Sequence, residues 1–487
     1  MYPSHASGRC SAIRRILRAS LCLFLMMPNP AHTENALPEM KLQKSLKGAG
    51  DGNPLYTQRF GADPGVMEYD GRVYVYMTDD IPEYDSTGSI KENSYSLIQC
   101  ISCISSEDLV NWTDHGKIPV AEDRGIAKWA SNSWAPCAAH KTINGKEKFF
   151  LYFCNGGNGI GVLTADSPVG PWQDELGHLL ITRNTPNCSN VLWLFDPAVM
   201  VDDDGTGYLA FGGGVPKGKQ AAPGTGRIVR LGEDMLSLDG KPVALDVPYL
   251  FEDSGINKIG DRYVYSYCSN WQTDGNDLGL TNGSIQYMTS ESPLGPYEYQ
   301  GELFSNQGNF FFDLYGNNHH SIVSLDDRWF LFYHCRTVER ALGWSGNYRS
   351  PHVNEILINA DGSLRSVTGT LAGVEQLKPL DPYRVVPAST MSDQAGLEVV
   401  SKDGMVLVTG DSGSWWKVSG VDFGDGSKGI TVTGTMQAPV YVLADSLSSP
   451  VSAIITDEAE AVLSLTGIHD LYFVLSGPTD MVSWQVQ

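Results

Sequence analysis

Short apolar runs separated by clusters of Gly, Asp and Asn fill the chain, and one phrase of this kind returns five times. It opens as "GADPGVMEYDGRVYVY" from Gly61. It returns as "APCAAHKTINGKEKFFLYF" from Ala135, "DPAVMVDDDGTGYLAFGG" from Asp196, "EDSGINKIGDRYVYSYCSN" from Glu252 and "HHSIVSLDDRWFLFYHC" from His319. Each copy holds a short apolar strand, a turn with Gly or Asp, and a strand rich in aromatics. Asn, Asp and Gly accept the positive φ of tight turns, and aromatics favour a pleated surface, so each copy predicts a hairpin. A second phrase follows each first one, as in "ISSEDLVNWTDHG" from Ile104, "MTSESPLGPYEYQG" from Met288 and "INADGSLRSVTG" from Ile358. It closes a third strand and opens a fourth. Four short strands, five times over, predict a five-bladed β-propeller across residues 50–380.

The units are longer than minimal blades, which places long loops at "KGKQAAPGTG", Lys217 to Gly226, and "QTDGNDLGLTNG", Gln272 to Gly283. Loops on a rigid scaffold shape binding clefts. After "LKPLDPYRVVPAS" the repeat stops. Residues 381–487 show short alternating strands such as "KGITVTG" and "DLYFVLSG" and predict a small β-sandwich. The fold class is all-β.

Composition narrows the function. The 487 residues carry a net charge of −22, and only 18% are charged. Nucleic acid and anionic membranes need positive patches, so both are excluded as partners in favour of a neutral ligand. Arg14, Arg15 and Arg18 precede the apolar run Ser20 to Met27, which ends at Pro28 before the small residues Ala31 and Ala36. That order predicts a cleaved leader over residues 1–36 and a secreted or periplasmic protein. No later stretch is apolar for the ~18 residues a membrane span needs. Beyond the leader's Cys10 and Cys22, seven cysteines lie in strand-like runs and do not form a disulfide framework. Cys100 and Cys103 have half the spacing of a zinc site, but no second pair completes it. The seven read as buried thiols.

The first strand of a propeller blade lines the central channel, so the residue opening it faces the axis. Three copies of the phrase open on an acid: Asp63, Asp196 and Glu252. Clustered carboxylates raise each other's pKa, a costly arrangement unless it is used. A single Asp-Pro before a strand is an ordinary turn opener; three aligned acids outweigh that reading. Glycoside hydrolysis wants such a set, with one carboxylic acid to protonate the leaving oxygen and one carboxylate to activate water or attack carbon.

These motifs, with Asp63-Pro64, Asp196-Pro197 before "VDDDGTGYLAFGG", Glu252 before "NKIGDRYVYSY", "GNNHHSIV" and "WFLFYHCR", resemble glycoside hydrolase family 43 over roughly residues 50–380. The tail, through "SWWKVSGVDFGDG" and "GIHDLYFVLSGP", resembles a carbohydrate-binding module of family 6. It is short, and no aromatic suited to stacking on a sugar follows "DEAEAVLSL", so stabilising the propeller competes with sugar binding as its role.

The resemblance implies an inverting hydrolase in which Asp63 is the general base, Glu252 the general acid, and Asp196 the carboxylate that orients and tunes that acid. It also implies that His319, rather than its neighbour His320, faces the channel beside a structural calcium ion. Trp134 is expected to stack on a sugar face, against plain core packing, and Arg336 to reach a sugar hydroxyl, against a solvated or blade-packing role. Asp253 is expected to point away and is given no role. The implied substrates are arabinoxylan or xylo- and arabino-oligosaccharides. Removal of α-L-arabinofuranose is expected first and β-xylosidase action second, and a sugar-binding propeller without catalysis is the alternative from a different class.

Overall fold

The computed structural model describes residues 36–305, 318–456 and 459–487. The leader expected over residues 1–36 lies outside the described residues, Ala36 excepted. Five antiparallel sheets follow one another along the chain. The first is β1 (Ala62–Tyr69), β2 (Arg72–Thr78), β3 (Cys100–Ser106) and β4 (Trp112–Pro119). The second is β5 (Trp134–Ile143), β6 (Lys146–Cys154) and β7 (Ile160–Ala165). The third is β8 (Ala198–Val201), β9 (Gly207–Phe211), β10 (Arg227–Arg230) and β11 (Val243–Ala244). The fourth is β12 (Leu250–Ile259), β13 (Arg262–Ser269), β14 (Ile285–Ser290) and β15 (Glu298–Phe304), and the fifth is β16 (His320–Leu325), β17 (Arg328–Cys335) and β18 (Ser350–Ile356).

Five apolar clusters show how the sheets are arranged. Each lies between two consecutive blades, and one joins the fifth blade to the first: Val73, Val75 and Met77 of β2 pack with Phe330 and Phe332 of β17 and Val353 of β18. The ring is therefore closed. It also explains the continuous aromatic runs, because a blade strand is covered on both faces. In β6, Phe149, Leu151 and Phe153 pack toward blade one while Phe150 and Tyr152 pack toward blade three.

Two blades depart from the expected four strands. In blade two the fourth strand is reduced to a single bridge, Thr164 with Gln173. Pro168 and Pro171 lie in the connecting segment and supply no N–H to a ladder. In blade five the outer edge is taken by the chain that precedes β1. Leu55 donates to the carbonyl of Pro351 at 2.9 Å, Gly61 donates to that of Arg349 at 2.9 Å, and the Asn53 amide brackets Val353. The start of the ring is thereby tied to its end.

Beyond the propeller, β19 (Val386–Pro387) to β28 (Thr479–Val486) wrap one core in a sandwich-like, nearly closed sheet. The long strand β22 (Met405–Asp422) carries two tryptophans with different partners. Trp416 stacks on Phe473 at 4.6 Å inside the core, and Trp415 is covered by Leu37, Met40 and Leu42 of the N-terminal segment. The short strand β20 (Thr390–Met391) leaves this sheet and pairs with the outer edge of β4. All seven described cysteines are free thiols. Among the described residues no helix is long and apolar enough to cross a membrane.

Candidate active site

Blades one, two and four open on the same irregularity. Ala62 and Gly65 of β1 face Thr78 and Tyr76, Trp134 and Cys137 of β5 face Cys154 and Tyr152, and Glu252 and Gly255 of β12 face Cys268 and Ser266. One extra residue is thus inserted at the channel end of each first strand. This is a β-bulge, which disrupts the ladder and re-aims the side chains beside it. Blade three has the same arrangement, with the carbonyl of Phe195 accepting the N–H of Gly212 and Ala198 facing Ala210. The first place of the bulge therefore holds Ala62, Trp134, Phe195 and Glu252. The second holds Asp63, Ala135, Asp196 and Asp253, all at positive φ between 38° and 67°.

This register corrects the sequence reading, which set Glu252 level with Asp63 and Asp196. Asp253 has their place, and Glu252 stands one residue earlier with Trp134 and Phe195. Asp253 does avoid the cavity, but it is not turned to solvent. Fully buried, it lies 3.1 Å from His319 Nε2 and accepts from both the backbone and Nδ1 of His320.

The strained second place is held by a repeated hydrogen bond to its N–H. The acceptors are Thr78 Oγ1 for Ala135 at 2.8 Å, Cys154 Sγ for Asp196 at 2.9 Å and His334 Nδ1 for Asp63 at 3.0 Å. Each acceptor stands at the channel end of the second strand of the preceding blade. In blade three that place is Gly212, which has no side chain. The N–H of Asp253 turns instead to Asp196 Oδ2 at 2.8 Å, which fixes the orientation of that carboxylate.

The result is one cavity of about 160 Å³, lined by Asp63, Asp196, Glu252, His319, Trp134, Ala135 and Phe195, with Tyr95, Ile98 and Arg349 completing the wall. His319 Nδ1 lies 3.6 Å from Asp63 Oδ1 and 4.0 Å from Asp196 Oδ2. Of the two adjacent histidines, His319 lines the cavity. His320 faces blade four, where its Nε2 meets Ser266 Oγ at 2.7 Å.

The three acids differ in ionisation because their surroundings differ. Burial works against the charge on Asp63, but Arg349 Nη1 donates to its Oδ1 at 2.8 Å and holds the carboxyl well below the usual range. Thr78 Oγ1 donates to the other oxygen at 2.7 Å. His334 is kept neutral by burial, and since its Nδ1 accepts the Asp63 N–H, Arg349 is the cation that charges Asp63. Glu252 has no such partner. Burial first, then the negative charges of Asp196 and Asp63, push its pKa well above normal, and Oε1 is buried without a hydrogen-bond partner. Asp196 is intermediate: burial and Asp63 raise it, His319 opposes them, and it settles at about 7. One carboxylate held ionised and one carboxylic acid held protonated, in a single cavity, are the two halves of acid–base glycoside hydrolysis.

The family described as "Glycosyl hydrolases family 43" matches residues 52–364, the whole of the ring. The chain belongs to glycosyl hydrolase family 43. An arabinoxylan arabinofuranohydrolase of Paenibacillus polymyxa is 45% identical over 460 residues, 88% of this chain and 72% of that protein. The crystal structure of a family 43 arabinoxylan arabinofuranohydrolase from Bacillus subtilis, in complex with cellotetraose, superposes with a TM-score of 0.87 at 42% identity, covering 91% of this chain and 99% of that one. A family 43 β-xylosidase/α-arabinofuranosidase from a compost metagenome, solved with xylotriose in a calcium-free form, aligns with a TM-score of 0.50 at 25% identity over 68% of this chain and 99% of that one.

In this family 43 hydrolase, five of the six residues singled out in the sequence share the cavity. Arg336 is set apart. It precedes the short helix α1 (Thr337–Ala341) and does not line the cavity, although burial and the charge of nearby Arg349 both act on it. The residues that sequence reasoning missed are Arg349, Asp80, Tyr95 and Phe195. Arg349 grips Asp80 through Nε at 2.9 Å and Nη2 at 2.8 Å while its third nitrogen serves Asp63. Phe195 carried a usable signal, since it precedes Asp196 as Trp134 precedes Ala135. Arg349 and Tyr95 lie in loops between second and third strands, where no periodicity marks them.

Proposed function

We propose that this hydrolase removes single terminal α-L-arabinofuranose residues from arabinoxylan or its oligosaccharides, with inversion at the anomeric carbon. Asp63 is the general base. Kept ionised by Arg349, it takes a proton from a water as that water attacks the anomeric carbon. Glu252 is the general acid and gives its proton to the departing glycosidic oxygen. Asp196 tunes Glu252 by its charge, and the Asp253 N–H holds it in place. Trp134 and Phe195 offer aromatic faces to the sugar, and His319 lies against Asp63 and Asp196 with Asp253 behind it.

The observation that carries this reading is the opposed ionisation of Asp63 and Glu252 in one small cavity. Its size is well under the roughly 300–1,000 Å³ of pockets for drug-sized ligands, which supports a single sugar ring as the occupant. The choice of arabinose rests on the two arabinoxylan arabinofuranohydrolases described above. β-Xylosidase action is the second reading, supported by the metagenome enzyme with its xylotriose.

The calcium ion expected beside His319 has one support, the calcium-free state named for that same enzyme. The donor set here does not fit direct ligation. Among the described residues no group of three His, Cys, Asp or Glu side chains is placed to hold a metal ion directly, and the Asp253 oxygens face His319 and His320. Secretion is the reading of the leader.

The test is product analysis on arabinoxylan together with rates on 4-nitrophenyl α-L-arabinofuranoside and β-D-xyloside. Arabinose as the released sugar, lost by at least ~10³-fold in Glu252→Gln, is the expected outcome. Xylose alone would favour the second reading, and binding of the glycan without any release would favour a non-catalytic propeller.

A further inference from the structure

We infer that Tyr95 is a specificity-determining residue, the wall that limits the cavity to one sugar on the side away from the leaving group. This rests on the glycosidase reading above and adds to it what the far end of the pocket excludes.

Ring order gives the direction. Blades follow one another around the axis, so blade four, which supplies Glu252, stands across from the seam between blades one and two. Glu252 marks the leaving-group side. A sugar whose glycosidic oxygen meets Glu252 therefore points its other end at that seam. Tyr95 stands there. It is carried by the loop between β2 and β3 of blade one, and its carbonyl accepts from the indole Nε1 of Trp134 in blade two at 3.0 Å.

The side chain is held from several directions. The Arg349 guanidinium lies over its ring at 5.1 Å, and the Trp134 ring meets it edge-on at 6.5 Å. Its backbone takes φ 58°, an unfavourable conformation for a bulky residue. Strain of this kind persists only where the surroundings over-determine it. Here they do. The Tyr95 N–H is accepted by Asn93 Oδ1 at 2.9 Å, the Asn93 N–H by the carbonyl of Gly346 at 2.7 Å, and the Glu83 N–H by the Tyr348 hydroxyl at 2.7 Å. The loop of blade one is thus pinned to the loop of blade five, and Tyr95 is a fixed wall.

A mobile or solvent-facing tyrosine would need none of this. Its removal opens the cavity at the seam, toward neighbouring Ser94, Ser96 and Leu97, which are exposed. A second glycone residue, linked to the far end of the first, then has room. The chemistry excluded by the wild type is a glycoside of a disaccharide, and a 4-nitrophenyl α-1,5-L-arabinofuranobioside is the probe.

The test is made in a Glu252→Gln background, which keeps the glycoside intact, with binding followed by calorimetry. Glu252→Gln is expected to bind the monoside and reject the bioside. Adding Tyr95→Ala is expected to strengthen bioside binding by at least tenfold, and adding Tyr95→Phe, which keeps the ring, is expected to leave it rejected. If Tyr95→Ala still rejects the bioside while binding the monoside, or if the Glu252→Gln protein already accepts it, the inference is overturned. Failure of the underlying reading shows differently: the wild type then cleaves no arabinofuranoside at all. Retention of monoside binding by the Tyr95→Ala protein, with a single cooperative melting transition, separates loss of the wall from loss of the fold.

Discussion

Two carboxyl groups at one channel end differ in ionisation because a guanidinium donates to one and not to the other. Arg349 donates to Asp63, whereas Glu252 is buried with an oxygen unpaired beside Asp196 and Asp63. A buried acid with a raised pKa binds its proton more tightly folded than unfolded. Stability from that group is therefore present at low pH and is lost as pH rises above the unfolded value of about 4.3. Glu252→Gln removes the group that costs stability at neutral and alkaline pH. At pH 8 the variant is expected to melt on the order of 2–4 °C above the wild type, with the difference vanishing near pH 4. Calorimetric scans at both pH values, at one scan rate, check this. A variant that melts lower at pH 8 would mean that Glu252 is not held protonated by its surroundings. Asp63 has the opposite sign: its folded pKa is lowered, so its contribution is present above the unfolded carboxylate range and disappears on acidification.

At the scale of the strand, the bulge converts a repeat into a site. The N–H of its strained residue points back at the preceding blade, and the side chain waiting there decides what the residue can do. Cys154 is such a side chain. Far from a reactive thiol, it is buried, its pKa is pushed well above normal by burial, and it accepts the Asp196 N–H at 2.9 Å. Cys154→Ala leaves that N–H without an acceptor in the interior, at a cost of about 1–3 kcal/mol. It also loosens Asp196 against Glu252. Reduced stability with a several-fold drop in kcat is expected, and Cys154→Ser, which keeps an acceptor, should recover most of both. Equal behaviour of the two variants in denaturant titration and kinetics would show that the hydrogen bond is immaterial.

The same bulge marks how far the sequence could be read. Apolar runs such as "KFFLYF" and the turns beside them made the hairpins and the five-fold repeat legible, because burial on both faces of a blade leaves a direct imprint on composition. The bulge leaves no such imprint. Its positive-φ place is filled by Asp, Ala, Asp and Asp, not Gly, so aligning copies by their acids set Glu252 one place too late. Arg349 and Tyr95 were illegible for another reason. They act through contacts between loops of different blades, and those contacts depend on closure of the ring.

The whole molecule joins its two parts through the outer edge of blade one. There β20 pairs with β4, Thr390 opposite Thr113 and Met391 opposite Trp112. The Asn111 amide meets Ser419 from both of its ends, and Gln394 Nε2 donates to Thr57 Oγ1 at 2.8 Å. Buried Lys47 spans the same seam, giving one hydrogen bond to the carbonyl of Gly52 and another to that of Ser392. The last sheet thus acts as a cover for an edge strand that would otherwise offer unpaired backbone to solvent and to other chains. Every cavity residue, by contrast, lies between Asp63 and Arg349. Truncation after Pro379 should therefore separate the two properties. The shortened protein is expected to melt at least ~5 °C lower and to aggregate on warming, since β4 and Lys47 lose their partners. Its soluble fraction should keep kcat/KM on a small aryl arabinofuranoside within about threefold, because a cavity built by five closed blades does not depend on the cover. If the rate on the small substrate collapses while the propeller remains folded by circular dichroism, the sandwich reaches the active site by a route other than this seam.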